Sequence, residues 1–194
     1  RFPFITFTKP NTLSVKKGRW GISEWLIIPE GIQLLIPKGT ILNFDPSTGL
    51  IAHGPVLING SVDAPVILKG NGSQGNNSSW QGIFITQTEE TSTWSNTFIL
   101  DTVGILRNGW RVPAGVTFYE ANVLLKNVSF LRNRCEDALN IVRSKFELEN
   151  IEIKNALSDG FDSDFSTGFI RQGSFENIGS VGGGDAIDLS GSNA

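Results

Sequence analysis

One short phrase returns three times in the last third of the chain, and it limits the folds open to the whole. It reads Asp137-Ala138-Leu139-Asn140, then Asp159-Gly160-Phe161-Asp162, then Asp185-Ala186-Ile187-Asp188. Each copy is an Asp, a small residue, an apolar residue and an Asn or Asp. The starts lie 22 and then 26 residues apart. A period in this range means one structural unit per repeat, with each unit burying its apolar face against the next.

The text between the copies says what the unit is made of. Leu26-Ile27-Ile28, Leu34-Leu35-Ile36 and Ile41-Leu42-Asn43-Phe44 are short β-branched and aliphatic runs, separated by Pro29-Glu30-Gly31 and Pro37-Lys38-Gly39. Proline cannot donate to a strand ladder and glycine supplies positive φ, so each Pro-x-Gly ends one strand and redirects the next. No helical periodicity lies between the runs, which excludes βαβ units. The pattern predicts an all-β solenoid whose coils have three faces and about 22 residues each. Val128/Phe130 and Ile151/Ile153 alternate with period two and place one face of their strand inward. Asn155 and Asn177, 22 residues apart, predict a column of side-chain amides bonded along the stack, with Asn133 one residue out of register.

Residues 1–24, with Phe2, Phe4, Ile5 and Phe7, read as an N-terminal cap, and residues 25–194 as the solenoid. The last copy stops just after its first strand, so further coils or another chain are expected to cover that end. Gly70 to Ser79 and Thr86 to Asn96 are polar stretches expected to loop out and wall a groove.

Composition narrows the function. Sixteen Lys and Arg against nineteen Asp and Glu give a net charge of −3, with no basic field to draw in nucleic acid. No apolar run has the roughly 20 residues of a membrane helix. The single cysteine, Cys135, excludes an internal disulfide and reads as a small buried residue. No secretion leader is visible, and a chain opening at Arg1 reads as a processed piece.

The stretch from Trp25 to Leu68, followed by Trp80-Gln81-Gly82-Ile83, resembles the opening coils of right-handed parallel β-helix proteins. The Asp-rich coils resemble those of the pectin lyase-like superfamily. The resemblance implies a secreted or cell-surface protein and a polysaccharide partner, and it spans lyases, hydrolases and non-catalytic modules alike. Ser158-Asp159-Gly160-Phe161-Asp162 is similar to the Asn-Thr-Asp phrase of polygalacturonase-type hydrolases. Gly184-Asp185 is similar to their Asp-Asp coil, with Gly184 where the family has a second Asp. That resemblance makes Asp159 and Asp185 the catalytic carboxylates, and Asp162 beside them is a further candidate. A lyase would instead use a base such as Arg143.

Three readings of the aspartates stay open. Stacked coils lie about 4.8 Å apart, so carboxylates in one column repel unless something neutralises them. They are backbone caps of their turns, or Ca²⁺ ligands drawn from Asp137, Asp159, Asp162 and Asp164, or an acid–base pair for glycoside cleavage. Two functions follow: a rigid module that binds polysaccharide or serves as a scaffold, with Trp80, Trp94 and Trp110 as sugar-stacking surfaces, and a polysaccharide-cleaving enzyme. His53, far back in the first coils, reads as structural.

Overall fold

The computed structural model describes residues 2–72 and 79–194. Those residues are all-β, with no helix among them, and nearly all the strands join one large, mostly parallel sheet. Among the described residues there is accordingly no helix long and apolar enough to cross a membrane.

The chain starts with β1 (Ile5–Lys9) running antiparallel on β2 (Thr12–Val15). From β2 onward the large sheet pairs in parallel, and its strands fall into three ladders. The first runs from β2 through β5 (Gln33–Pro37) and β8 (Val56–Asn59) to the middle of β10 (Gly82–Leu100) and of β13 (Val116–Leu131). It ends on the first halves of β15 (Lys145–Lys154) and β17 (Thr167–Glu176). The second runs β3 (Arg19–Ile22), β6 (Ile41–Phe44), β9 (Val66–Gly70), then the last residues of β10, β13, β15 and β17. The third runs β4 (Leu26–Ile28), β7 (Gly49–Ala52), the starts of β10 and β13, then β14 (Asp137–Val142), β16 (Asp159–Asp164) and β18 (Ile187–Ser190). β2 and β3 already belong to these ladders, so within residues 1–24 β1 is the strand that sits outside the parallel stack.

Period-two alternation decides what the ladders bury. Ile36, Ile58, Trp94, Leu125 and Leu148 point inward from the first. Leu42, Leu68, Ile99, Phe130 and Ile153 do so from the second, and Leu50, Ile83, Val116, Leu139 and Phe161 from the third. Together they form one continuous core. Trp80 stacks on Phe44 at 4.1 Å inside it, and its indole N–H donates to Leu100 O at 2.7 Å.

Long strands such as β13 cross two bends because one left-handed residue makes each corner. Gln87, Glu120, Arg143 and Phe165 form one such column, Asn96, Asn127, Asn150 and Gln172 a second, and Asp101, Arg132, Asn155 and Asn177 a third, all with φ between 45° and 64°. Asn accepts this region because its short amide bonds locally. Here the amides bond along the stack: Asn127 Nδ2 donates to Asn96 Oδ1 (3.2 Å), Asn150 Nδ2 to Asn127 Oδ1 (2.8 Å) and Asn177 Nδ2 to Asn155 Oδ1 (3.0 Å). The Asn155–Asn177 column expected from the sequence is therefore present. Asn133 lies off it, buried, donating to Thr102 Oγ1. In the last column Arg132 grips the Asp101 carboxylate through Nε at 2.8 Å and Nη2 at 2.9 Å.

Two expectations need correction. Thr86 to Asn96 is not a loop but part of β10, and only residues 89–91 leave the register against β13. Its polar side chains are the outward phase of a strand, and Trp94 marks the inward phase. Trp80 and Trp94 are fully buried, so neither offers a face to a sugar. Of the expected loop from Gly70 to Ser79, residues 73–78 lie outside the described residues.

Candidate functional site

The outward face of the third ladder carries most of the side chains that the core does not explain. One outward column reads Ile27, Ile51, Phe84, Thr117, Asn140, Asp162, Asp188, one residue per rung. Beside it stand Thr86, Tyr119, Val142, Asp164 and Ser190. The face is thus apolar and aromatic toward β4 and acidic toward β18.

A hairpin of β11 (Ile105–Arg107) and β12 (Trp110–Val112) roofs the aromatic end. Its two-residue turn, Asn108-Gly109, has positive φ at both positions (51° and 82°), the geometry that matches strand twist in a tight hairpin. Leu106 N–H donates to Gln81 Oε1 at 2.6 Å and ties the hairpin down. Trp110 meets Phe84 edge to face at 5.0 Å, and Phe84 stacks on Tyr119 at 6.4 Å. These rings, with Ile27, Ile51, His53, Gln87 and Arg107, line a groove of about 550 Å³. A second cleft shares His53 and Gln87 with it and adds Glu30, Glu89 and Glu90. Trp110 is 41% exposed, so of the three sugar-stacking tryptophans expected it alone presents a face.

At the acidic end the repeated phrases lie in register: Asp137 is opposite Asp159, and Asn140, Asp162 and Asp188 follow one another. The expected column of Asn140, Asp162 and Asp188 forms; of the other, Asp137 and Asp159 pair in register, and Asp137 is buried rather than outward. Asp137 is buried, and its carboxyl is pushed up to about 7, chiefly by burial and then by Asp162 and Glu136. Asp162 is pushed up to about 6, by burial first and then by Asp164 and Asp188. Asn140 stands between them, its amide donating to Asp162 Oδ2 at 2.6 Å and more loosely to Asp137 Oδ2 at 3.5 Å. Asp159 Oδ1 accepts the backbone N–H of Asp185 at 2.7 Å, as a turn cap does. Asp185 itself is exposed. Arg143 sits on a corner with its Nη1 donating to Tyr119 Oη at 2.7 Å and 3.8 Å from Glu120.

Among the described residues two polar atoms on this face lack partners: Asn140 Oδ1 and Thr117 Oγ1, neighbours in one column and both buried. Leaving such an atom unpaired costs about 1–3 kcal/mol. For the Ca²⁺ ligand set expected from Asp137, Asp159, Asp162 and Asp164, no group of three or more His, Cys, Asp or Glu able to hold a metal ion stands out among the described residues. Cys135 is buried, bonded to Asp137 O, and its thiol is pushed up to about 12 by burial, so it is no nucleophile at neutral pH.

Phe84, Tyr119 and the hairpin were not singled out from the sequence. Their signals were an aromatic residue in the outward phase of a strand and an Asn-Gly pair flanked by Arg107 and Trp110.

Fold and site together define an all-β stack of parallel ladders with an aromatic and acidic outer face. Comparison with protein-family models, with curated proteins and with solved structures finds no match.

Proposed function

We propose that this chain is a right-handed parallel β-helix module of a secreted or cell-surface protein, and that it binds a polysaccharide along the outer face of its third ladder. The handedness rests on strand twist, which makes crossovers between parallel strands right-handed in all but about 2% of cases. The observation that carries the binding reading is the groove under the β11–β12 hairpin. Trp110, Phe84 and Tyr119 converge there beside Gln87, His53 and Arg107. Flat aromatic faces next to a few polar groups suit the apolar faces and hydroxyls of pyranose rings.

Affinity electrophoresis through gels carrying neutral, acidic and amino polysaccharides tests this. Retardation by at least one polymer, lost in Trp110→Ala and Tyr119→Ala, is the expected result. Equal mobility in every gel would remove the binding reading and leave a scaffold.

A second reading has one observation in its favour. Asp162 is partly exposed with its carboxyl pushed up to about 6, the range a general acid needs. On that reading the module cleaves the polymer it binds. Release of new reducing ends, abolished in Asp162→Asn, would support it.

A further inference from the structure

The groove and its continuation along the third ladder carry one dominant sign of charge. At one end stand Glu30, Glu89 and Glu90. At the other stand Asp162, Asp164 and Asp188, on two neighbouring rungs. The nearby cations are engaged. Arg143 bonds Tyr119 and lies beside Glu120, and the Arg107 guanidinium lies over the Trp25 ring at 5.4 Å. Among the described residues no lysine lines either cleft.

Given the binding reading above, we propose that the polysaccharide held on this face bears free amino groups, with ammonium nitrogens on the Asp162, Asp164 and Asp188 rungs and a sugar face on Trp110. Three facts carry this beyond an acidic patch. The carboxylates continue the same outward columns that hold the aromatics. Tyr119 is two rungs from Asp164, about 10 Å at the spacing of neighbouring strands, which one extended ligand spans. In the neighbouring column, which holds Asp162 and Asp188, Asn140 Oδ1 and Thr117 Oγ1 have no partner, although both residues are more than nine-tenths buried. The Asn140 amide reaches into the Asp162 carboxylate, so its free oxygen belongs to the acidic end. The unpaired amide oxygen of Asn140, next to the Asp162 carboxylate, calls for a donor, and an ammonium group brings three donors and no acceptor. A uronate polymer would instead set carboxylate against carboxylate, which selects against it.

Calorimetric titration of the whole chain with three hexasaccharides tests this: glucosamine, its N-acetylated form and galacturonate, with hexalysine as a fourth probe. The glucosamine hexamer is expected to bind about tenfold or more tighter than the N-acetylated one. That advantage should shrink in 0.5 M salt, because exposed charge pairs are screened. Asp162→Asn with Asp188→Asn should remove that advantage, while Trp110→Ala should weaken both sugars. Equal binding of the two hexamers, or preference for galacturonate, overturns the inference while glycan binding stands. Hexalysine binding as tightly as glucosamine overturns it in favour of a basic polypeptide. No binding by any sugar removes the underlying reading as well. A melting temperature unchanged by the substitutions keeps loss of binding distinct from loss of fold.

Discussion

Asn140 and Asp162 occupy the same outward position on neighbouring rungs, and the Asn140 amide donates to the Asp162 carboxylate at 2.6 Å. A neutral donor therefore stands where the other phrase copies carry Asp. It separates the raised carboxyls of Asp137 and Asp162 and accounts for the one Asn among the three phrases.

Asn140→Asp should expose that role. A third carboxylate would replace a donor, and the variant should lose about 1–3 kcal/mol at pH 8. Less should be lost at pH 5, where one of the group holds a proton. Urea unfolding at both pH values reads the difference.

Asp137 makes stability depend on pH. Its carboxyl rises from 3.8 to about 7 on folding, so the folded state binds the proton more tightly than the unfolded chain does. The resulting stability is complete below the unfolded value and is lost as pH rises through about 7, by up to about 4 kcal/mol. Asp162 acts in the same direction but is partly exposed and counts for less. The melting temperature should fall between pH 5 and 8, and Asp137→Asn should flatten that fall.

Asn127 links two rungs of its corner column at a φ of 55°. Asn127→Ala removes both amide bonds and leaves a β-carbon in the left-handed region, at a cost of about 2–3 kcal/mol. Asn127→Gly loses the bonds without the backbone strain and should recover about 1 kcal/mol of that. Chemical denaturation of the pair separates the two contributions.

Trp94 is a core residue. Its ring lies 5.3 Å from Phe118, and its indole N–H donates to Val56 O at 3.2 Å. Trp94→Ala should cost about 3–5 kcal/mol. Trp110→Ala, at the exposed hairpin, should change stability by no more than about 1 kcal/mol. Thermal unfolding of both variants checks the contrast.

The sequence revealed the ladders because period-two alternation and Pro-x-Gly turns are local signals. The register of Asn140, Asp162 and Asp188 was legible from spacing alone. Burial was not, since alternation cannot say that a hairpin will roof one end of a face. Trp94 was misplaced because its polar neighbours read as a loop, although they are the outward phase of β10. The hairpin itself carried a readable Asn108-Gly109 turn, hidden by the stronger repeat beside it. Nothing in the spacing foretold that Asp137 would be buried and Asp185 exposed, because that difference comes from what packs over each rung.

Hydrogen–deuterium exchange of the whole chain, with and without a bound oligosaccharide, tests most directly where ligand sits. The account predicts slowed exchange in residues 105–112 and 116–119, continuing into 139–142 and 161–164. Slowed exchange confined to a separate groove off the third ladder, lined by Ser61, Pro65, Asn96, Phe98, Asn150 and Glu152, would contradict it.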